Sequence, residues 1–254
     1  MTDAAENSPP SPPTGPPTTP APPRPNTERI VVIGLLGGLA ALAISKGAID
    51  REMLLTIAAI VPSVILHEVS HGAVAFIFGD DTAKRAGRLT LNPLSHVDPM
   101  GTIVIPTLLA LSHATPFGFA KPVPVNLNRL RHPRNEGLLV SLAGPATNYI
   151  LALVAAVLLR FSLPPKGDVR EFVLDFGLVN VVLGTFNLLP VPPLDGSGIL
   201  ERFLPAKWWP QYLQFRRYSM VLVFIVVFQF HGIIDKVIDP AFRVWLRLAG
   251  FHLA

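Results

Sequence analysis

Long apolar runs alternate with short polar segments along most of the chain. Several runs contain roughly 20 residues, the length of helix that crosses the hydrocarbon core of a bilayer. Continuous apolar runs of this length predict transmembrane helices rather than strands or amphipathic surface helices. The runs that predict spans are residues 30–48, 53–78, 101–111, 138–161, 172–189 and 218–230.

Two of these runs are shorter than a complete span. Residues 101–111 either extend toward Phe119 as a third span or form a re-entrant segment. The last run begins a helix that we expect to continue to Val237. The pattern therefore predicts an all-α membrane protein, a polytopic bundle of about six transmembrane helices.

The polar segment between the second and third predicted spans indicates a different local structure. Leu89-Thr90-Leu91 is short and β-prone, and it is followed by the turn signal Asn92-Pro93. We therefore expect a small β-strand or hairpin element near the membrane surface, within residues 84–92.

The N-terminal region has another composition. Residues 8–25 are mostly Pro, Thr and Ala and cannot bury enough apolar surface to form a core. We expect residues 1–28 to be a disordered, polyproline-like tail, although a Pro-recognising partner could also bind it. The acidic, Pro-rich start does not match a secretory signal peptide. Residues 29–254 are expected to form one polytopic domain.

The overall composition supports the membrane assignment. Only 15% of the residues are charged, whereas soluble domains usually carry about 25%. The formal net charge of +4 is better explained by basic loops facing lipid head groups than by nucleic acid, so no nucleic-acid partner is expected. The absence of cysteine excludes thiolate metal sites. Lys and Arg are nearly balanced across the predicted spans and do not decide the topology.

The second predicted span contains the pattern His67-Glu68-Val69-Ser70-His71. Residues four apart lie on one helical face, so His67 and His71 can present two imidazoles to one ion. Glu68 stands where a general base would take a proton from water. Such polar groups cost several kcal/mol in a membrane unless they are paired, bind a metal or face a wet cavity. Hydrogen bonds between helices without a metal are the alternative, but they do not explain the spacing.

A third ligand is required, because catalytic zinc normally has three protein ligands and one open position. The weaker candidates are Glu136, Glu171 and Glu201, which lie in charged or loop-like surroundings. Asp195 is better placed, as the single carboxylate in the otherwise apolar residues 187–196 at the end of a predicted span. Its alternative role is the N-cap of a helix beginning near Gly196.

Four short motifs follow one another from the second predicted span to just past the fifth. They are HEVSHG at residues 67–72, NPLSHVDPMG at 92–101, AGPATN at 143–148 and FNLLPVPPLDG at 186–196. In composition and order they resemble the site-2 protease family of intramembrane zinc metalloproteases, in the compact form without PDZ or CBS domains.

The resemblance implies one Zn²⁺ per chain, held by His67, His71 and Asp195, with Glu68 as the general base. It also implies that Asn187 binds the substrate carbonyl or the oxyanion. A structural hydrogen bond between helices is the alternative role of Asn187.

The remaining motif residues are expected to support the site. His96 and Asp98 match the family's His-x-Asp-Pro element and would support the site or shape its entrance, although turn formation alone also explains them. Asn148 is a further supporting residue, expected together with Gly144 to serve helix packing.

The function implied by the resemblance is regulated intramembrane proteolysis. Residues 29–254 would then be a polytopic intramembrane metalloprotease domain that cleaves a transmembrane segment of a membrane-protein substrate, such as an anti-sigma factor or a signal-peptide remnant. By analogy the protein is expected in the cell membrane as a multi-pass protein, with its active site opening toward the cytoplasm. A transporter or channel and a catalytically inactive scaffold are the alternatives. The oligomeric state is not determined by the sequence.

Overall fold

The computed structural model describes residues 51–98, 100–101, 105, 120–229 and 231–251, together with Gly34 and Gly38. In chain order its helices are α1 (Arg51–Ile77), α2 (Thr82–Arg85), α3 (Pro133–Arg160), α4 (Asp168–Asn187), α5 (Ser197–Phe203), α6 (Trp209–Gln229) and α7 (His231–Leu248), and single 3-10 turns lie at Pro93–Ser95, Leu127–Arg129 and Ala206–Trp208. The secondary structure of the described residues is helical, which confirms the predicted all-α class.

The β-element predicted within residues 84–92 is not confirmed. Its first two residues belong to the helical turn α2, and the turn closes with a hydrogen bond from Arg88 N to Ala83 O. Leu89 packs against Gly72 of α1, and the carbonyl of Thr90 accepts a hydrogen bond from His96 Nε2. Strand propensity measures how well a side chain packs on a pleated sheet, and the described part of the chain offers this segment no neighbouring strand.

The predicted spans agree with the structure to different extents. Two helices, α1 and α3, are long and apolar enough to cross a membrane. Helix α4 occupies the fifth predicted span but carries acidic residues in its first turn. Helix α6 begins at Trp209 rather than near Tyr218, and α7 reaches Leu248 rather than ending at Val237. Apart from a few single positions, the predicted spans 30–48 and 101–119 lie outside the described residues, so the bundle of about six helices is not confirmed.

The three long helices α1, α3 and α4 pack against one another and position the site. Arg51 of α1 forms ion pairs with Asp168 and Glu171 at the start of α4, and further along the same pair of helices Ser63 accepts a hydrogen bond from Asn180. Helices α1 and α4 therefore run in the same direction. Helix α3 runs antiparallel to both, because successive positions along α1 meet earlier positions of α3.

Helix α7 closes the core at one end of this bundle. Trp245 of α7 lies over Gly177 of α4, and its indole N–H donates a hydrogen bond of 2.6 Å to the carbonyl of Ala152 in α3. Its neighbours in the buried cluster are mostly small: Ala152, Ala155, Ala156, Leu159, Val181 and Ala249. Small residues let helix backbones approach closely, so the large indole ring can fill the space between α3 and α4.

A buried carboxylate ties the end of α1 to an extended stretch that crosses it. Asp80 is fully buried and accepts hydrogen bonds from the hydroxyl and backbone N–H of Thr82 and from Asn126 N at 2.6 Å. Burial alone would raise the pKa of Asp80, but these hydrogen bonds and the charge of Arg129 hold that pKa below its ordinary value. The ionised carboxylate therefore stabilises the position of residues 120–126 beside α1.

The contact between Gly177 and Trp245 gives a prediction about stability. A Cβ atom at position 177 would lie 2.0 Å from an indole carbon, so we expect Gly177→Ala to lower the unfolding free energy by about 1–3 kcal/mol through overpacking. Thermal unfolding in detergent measures the change. Gly232→Ala is the matched control, since this helical glycine of α7 has open space around its Cβ position and alanine should be neutral or slightly stabilising there. Equal stability of Gly177→Ala and the unaltered protein would contradict the proposed packing.

The carboxylate at position 80 gives a prediction about pH. Because the pKa of Asp80 is lower in the folded protein than the ordinary value of about 3.9, its stabilising effect is present above that value and is lost as the pH falls through the folded pKa. Asp80→Asn should therefore cost about 1–3 kcal/mol near pH 7 and progressively less as the pH falls below about 3.9. Melting curves of both proteins across this range test the expectation, and a pH-independent difference would contradict it.

Candidate active site

Helix α1 places His67 and His71 one turn apart on the same face. The residues are only 6% and 8% exposed, so both imidazoles lie inside the bundle. Their Nε2 atoms are 3.2 Å apart. Because the two histidines are four residues apart on a helix, their Nε2 atoms face a common point.

The loop after α4 brings Asp195 to the same point. Gly196 N donates a hydrogen bond of 2.6 Å to Asn187 O, which folds the loop back onto the end of α4. A Cβ atom on Gly196 would lie 2.2 Å from Leu188 O, so only glycine permits this return. Helix α5 begins at Ser197 with Gly196 as its N-cap. Asp195 is therefore not the N-cap of that helix, which removes its alternative role.

The three ligand atoms have the spacing of a tetrahedral metal site. Asp195 Oδ2 lies 3.0 Å from His67 Nε2 and 3.3 Å from His71 Nε2. A zinc ion with bonds of about 2.0–2.1 Å places tetrahedral ligand atoms about 3.3 Å apart. Asp195 Oδ2 is buried and makes no directional hydrogen bond within the described residues. An orphaned carboxylate oxygen beside two imidazole nitrogens fits a bound cation.

The far sides of both imidazoles are hydrogen-bonded. His67 Nδ1 lies 2.5 Å from Asn148 Oδ1, and His71 Nδ1 lies 2.6 Å from Val140 O. Since both partners accept hydrogen bonds, each Nδ1 carries the proton and each Nε2 presents a lone pair. Two nitrogen lone pairs and a carboxylate oxygen then face one another with no proton between them, and a divalent cation would relieve this repulsion.

Gly144 of α3 forms the wall behind the imidazoles. A Cβ atom at this position would lie 2.4 Å from His71 Nε2 and 2.6 Å from His67 Nε2. Gly144 was expected to serve helix packing. The structure adds a second role, because the absence of a side chain at this position makes room for the ligand atoms. Asn148, one turn further along α3, likewise contacts the site through His67.

Glu68 lies next to the imidazoles in α1 and is held by the extended stretch described above. Its Oε2 atom accepts a hydrogen bond of 2.9 Å from Val123 N. Asp80 fixes the same stretch at Asn126. One carboxylate oxygen of Glu68 is thus positioned by the backbone, and no described residue forms a hydrogen bond with Oε1.

The other predicted site residues lie in different environments. The Asn187 amide donates to Leu183 O in its own helix at 3.0 Å, so the structure does not direct it at the three ligand atoms. Asp98 Oδ1 accepts hydrogen bonds from the backbone N–H groups of Met100 and Gly101, which is a turn or cap role. His96 is buried, and its Nε2 donates to Thr90 O. His96 and Asp98 therefore order the loop that follows α2.

The weaker ligand candidates do not reach the site. Glu136 caps the start of α3 through His132 N, and Glu171 pairs with Arg51. Glu201 accepts hydrogen bonds from Tyr212 and Arg216.

The site also depends on groups that sequence motifs could not indicate, namely the backbone carbonyl of Val140, the backbone N–H of Val123 and the Asn180 side chain behind Asn148. Val123 and Val140 act through backbone groups, so the identity of their side chains does not indicate their role.

Comparison with known proteins identifies relatives that match about two thirds to three quarters of the chain. The family model for Peptidase family M50 matches residues 164–230. The chain is 42% identical to YwhC of Bacillus subtilis (strain 168) over 66% of this chain and 77% of that protein. It is 35% identical to Rip2 of Mycolicibacterium smegmatis over 69% of this chain and 71% of that protein, and 30% identical to Rip2 of Mycobacterium tuberculosis H37Rv over 76% and 74%. All three relatives are named as candidate zinc metalloproteases. No solved structure matches the chain.

The similarity extends over more than two thirds of each of these relatives, and the family model covers the segment that carries Asp195. The chain therefore belongs to Peptidase family M50, the site-2 protease family.

Proposed function

We propose that this protein is a zinc metalloendopeptidase that cleaves a transmembrane segment of a membrane-protein substrate. The observation that carries the proposal is the convergence of His67, His71 and Asp195 at tetrahedral spacing, with Glu68 beside them. The relatives' names support zinc and proteolysis. The family and the two apolar helices α1 and α3 support its placement in a membrane.

The residues of the chain divide the chemistry between them. His67, His71 and Asp195 would hold one zinc ion, which polarises the scissile carbonyl and acidifies water when it is bound. Glu68 takes a proton from the attacking water through Oε1 and delivers it to the leaving amine. The hydrogen bond from Val123 N to Oε2 keeps this carboxylate oriented during both transfers.

Asn187 is the proposed donor to the substrate carbonyl or the oxyanion. In the structure its amide is engaged with Leu183 O. The amide nitrogen carries two N–H groups, so one can remain on Leu183 O while the other donates to negative charge on the substrate.

A substrate within the membrane is supported by the position of the site in α1. The imidazoles lie in α1, one of the two helices that can cross a bilayer, and a substrate helix would have to unwind locally to expose a peptide bond there. We propose that the substrate is a membrane protein with a transmembrane helix, for example an anti-sigma factor or a signal-peptide remnant.

A multi-pass arrangement with the site opening toward the cytoplasm is proposed by analogy with the family. The end of the bundle that carries the site has basic residues such as Arg129 and Arg131, and the opposite end has Arg51, Arg160 and Arg170. Because Lys and Arg lie at both ends, the proposed orientation rests on the analogy.

Removal of the general base tests the mechanism. We expect Glu68→Gln to lower kcat on a single-span membrane substrate by at least about 100-fold while the protein keeps one zinc ion per chain. Asp195→Ala should lose both zinc and activity, because the remaining imidazoles supply two ligands only. Asp175→Ala, which removes a carboxylate from α4 outside the site, is the control and should keep both. Substantial cleavage by Glu68→Gln would disprove the assigned base.

Filling the space at Gly144 tests the metal site separately from the ligands. Gly144→Ala puts a methyl group where the ligand atoms converge, so we expect zinc affinity to fall by at least about 10-fold. Gly137→Ala in the same helix is the matched control, since its Cβ meets only a Leu127 methyl group at 3.2 Å. Zinc titration against a chromophoric chelator measures both affinities. Unchanged affinity in Gly144→Ala would place the metal elsewhere.

A further inference from the structure

The two imidazoles of the site are fixed by different kinds of acceptor. His71 Nδ1 donates to the carbonyl of Val140, which can only accept a hydrogen bond. His67 Nδ1 faces the side-chain amide of Asn148, which could present either its oxygen or its nitrogen. Something must therefore keep the oxygen of Asn148 toward His67.

A chain of buried hydrogen bonds leads from Asn148 of α3 through Asn180 of α4 back to Ser63 of α1, one turn before His67. Asn148 Nδ2 donates to Asn180 Oδ1 at 2.7 Å, and Asn180 Nδ2 donates to Ser63 Oγ at 2.7 Å. Asn180 Nδ2 also donates to Phe176 O at 2.8 Å, and Ser63 Oγ donates to Ala59 O. The side chains of Ser63, Asn148 and Asn180 belong to residues with no exposed surface, so water does not compete for these groups.

The direction of every hydrogen bond in this chain is settled by its carbonyl ends. Because Ala59 O and Phe176 O can only accept, Ser63 must donate to the first and Asn180 must turn its nitrogen to the second. The oxygen of Asn180 then faces Asn148 and accepts from its nitrogen. Rotation of the Asn148 amide would place two donors or two acceptors face to face, at a cost of about 1–3 kcal/mol for each unpaired buried group.

We infer that Asn180 is a positioning residue that selects the metal-binding tautomer of His67 by holding the Asn148 oxygen toward Nδ1. Asn180 touches neither substrate nor the ligand atoms and acts through Asn148. With the amide of Asn148 held in this orientation, the proton stays on Nδ1 and the Nε2 lone pair faces Asp195 and His71. This inference rests on the proposed zinc site and extends it to helix α4.

Zinc affinity of the full-length protein in detergent, measured by chelator competition, tests the inference. Asn180→Leu removes the acceptor for Asn148 Nδ2, so we expect zinc affinity to fall by about 10–100-fold. In an Asn148→Asp background the same substitution should cause no loss, because a carboxylate presents an oxygen to His67 in either orientation. Thr185→Val is the matched control. It removes the 2.8 Å hydrogen bond between Tyr149 and Thr185 at the same α3–α4 interface and should leave zinc affinity unchanged.

A purely structural role of Asn180 gives a different result. In that case Asn180→Leu would weaken zinc binding equally in both backgrounds, or lower thermal stability without changing zinc affinity, and either outcome overturns the inference.

Asn180→Asp provides a milder second variant. It keeps an acceptor for Asn148 and should retain zinc affinity within about threefold even if stability falls, whereas a loss equal to that of Asn180→Leu would also overturn it. Failure of the unaltered protein to bind zinc would instead contradict the proposed function itself.

Discussion

Two imidazole nitrogens and one carboxylate oxygen meet inside this protein without a proton to separate them. His67 Nε2, His71 Nε2 and Asp195 Oδ2 lie 3.0–3.3 Å from one another, and both imidazole protons are committed to the opposite ring nitrogens. Such a cluster is unfavourable without a cation and favourable around one. Helices α1 and α3 and the loop after α4 are placed so that these three atoms can bind one cation.

Close backbone approach is what permits the cluster to form. Gly144 leaves the space in which the ligand atoms converge, and Gly196 allows the loop with Asp195 to return onto the end of α4. At the other end of the bundle Gly177 receives the indole of Trp245 in the same way. Helices in a membrane associate through packing and hydrogen bonds rather than through the hydrophobic effect. Glycines at these contacts therefore serve both the stability of the bundle and the geometry of the site.

The polar groups around the site are almost completely paired. Asn148, Asn180 and Ser63 form a continuous buried chain, and Glu68 is held by the backbone of Val123. Because an unpaired polar group is expensive in an apolar surrounding, this pairing allows a hydrolytic site to exist inside a hydrophobic bundle. The same pairing restricts each group to one orientation, which is the form of preorganisation that catalysis requires.

The features that depend on local geometry could be predicted from the amino-acid sequence. Helical periodicity placed His67, Glu68 and His71 together, and continuous apolar runs predicted the helical class and the positions of α1 and α3. Asp195 was the favoured third ligand, but its N-cap alternative was excluded only by the folded loop that ends at Gly196. The β-element at residues 84–92 was wrong because strand propensity needs a neighbouring strand. Gly144, Asn180 and Val123 could be assigned to the site only from the folded structure. Gly144 contributes by having no side chain, Asn180 through a hydrogen bond to Asn148, and Val123 through its backbone N–H. These contacts join residues that are far apart in the sequence, so no motif along the chain indicates them.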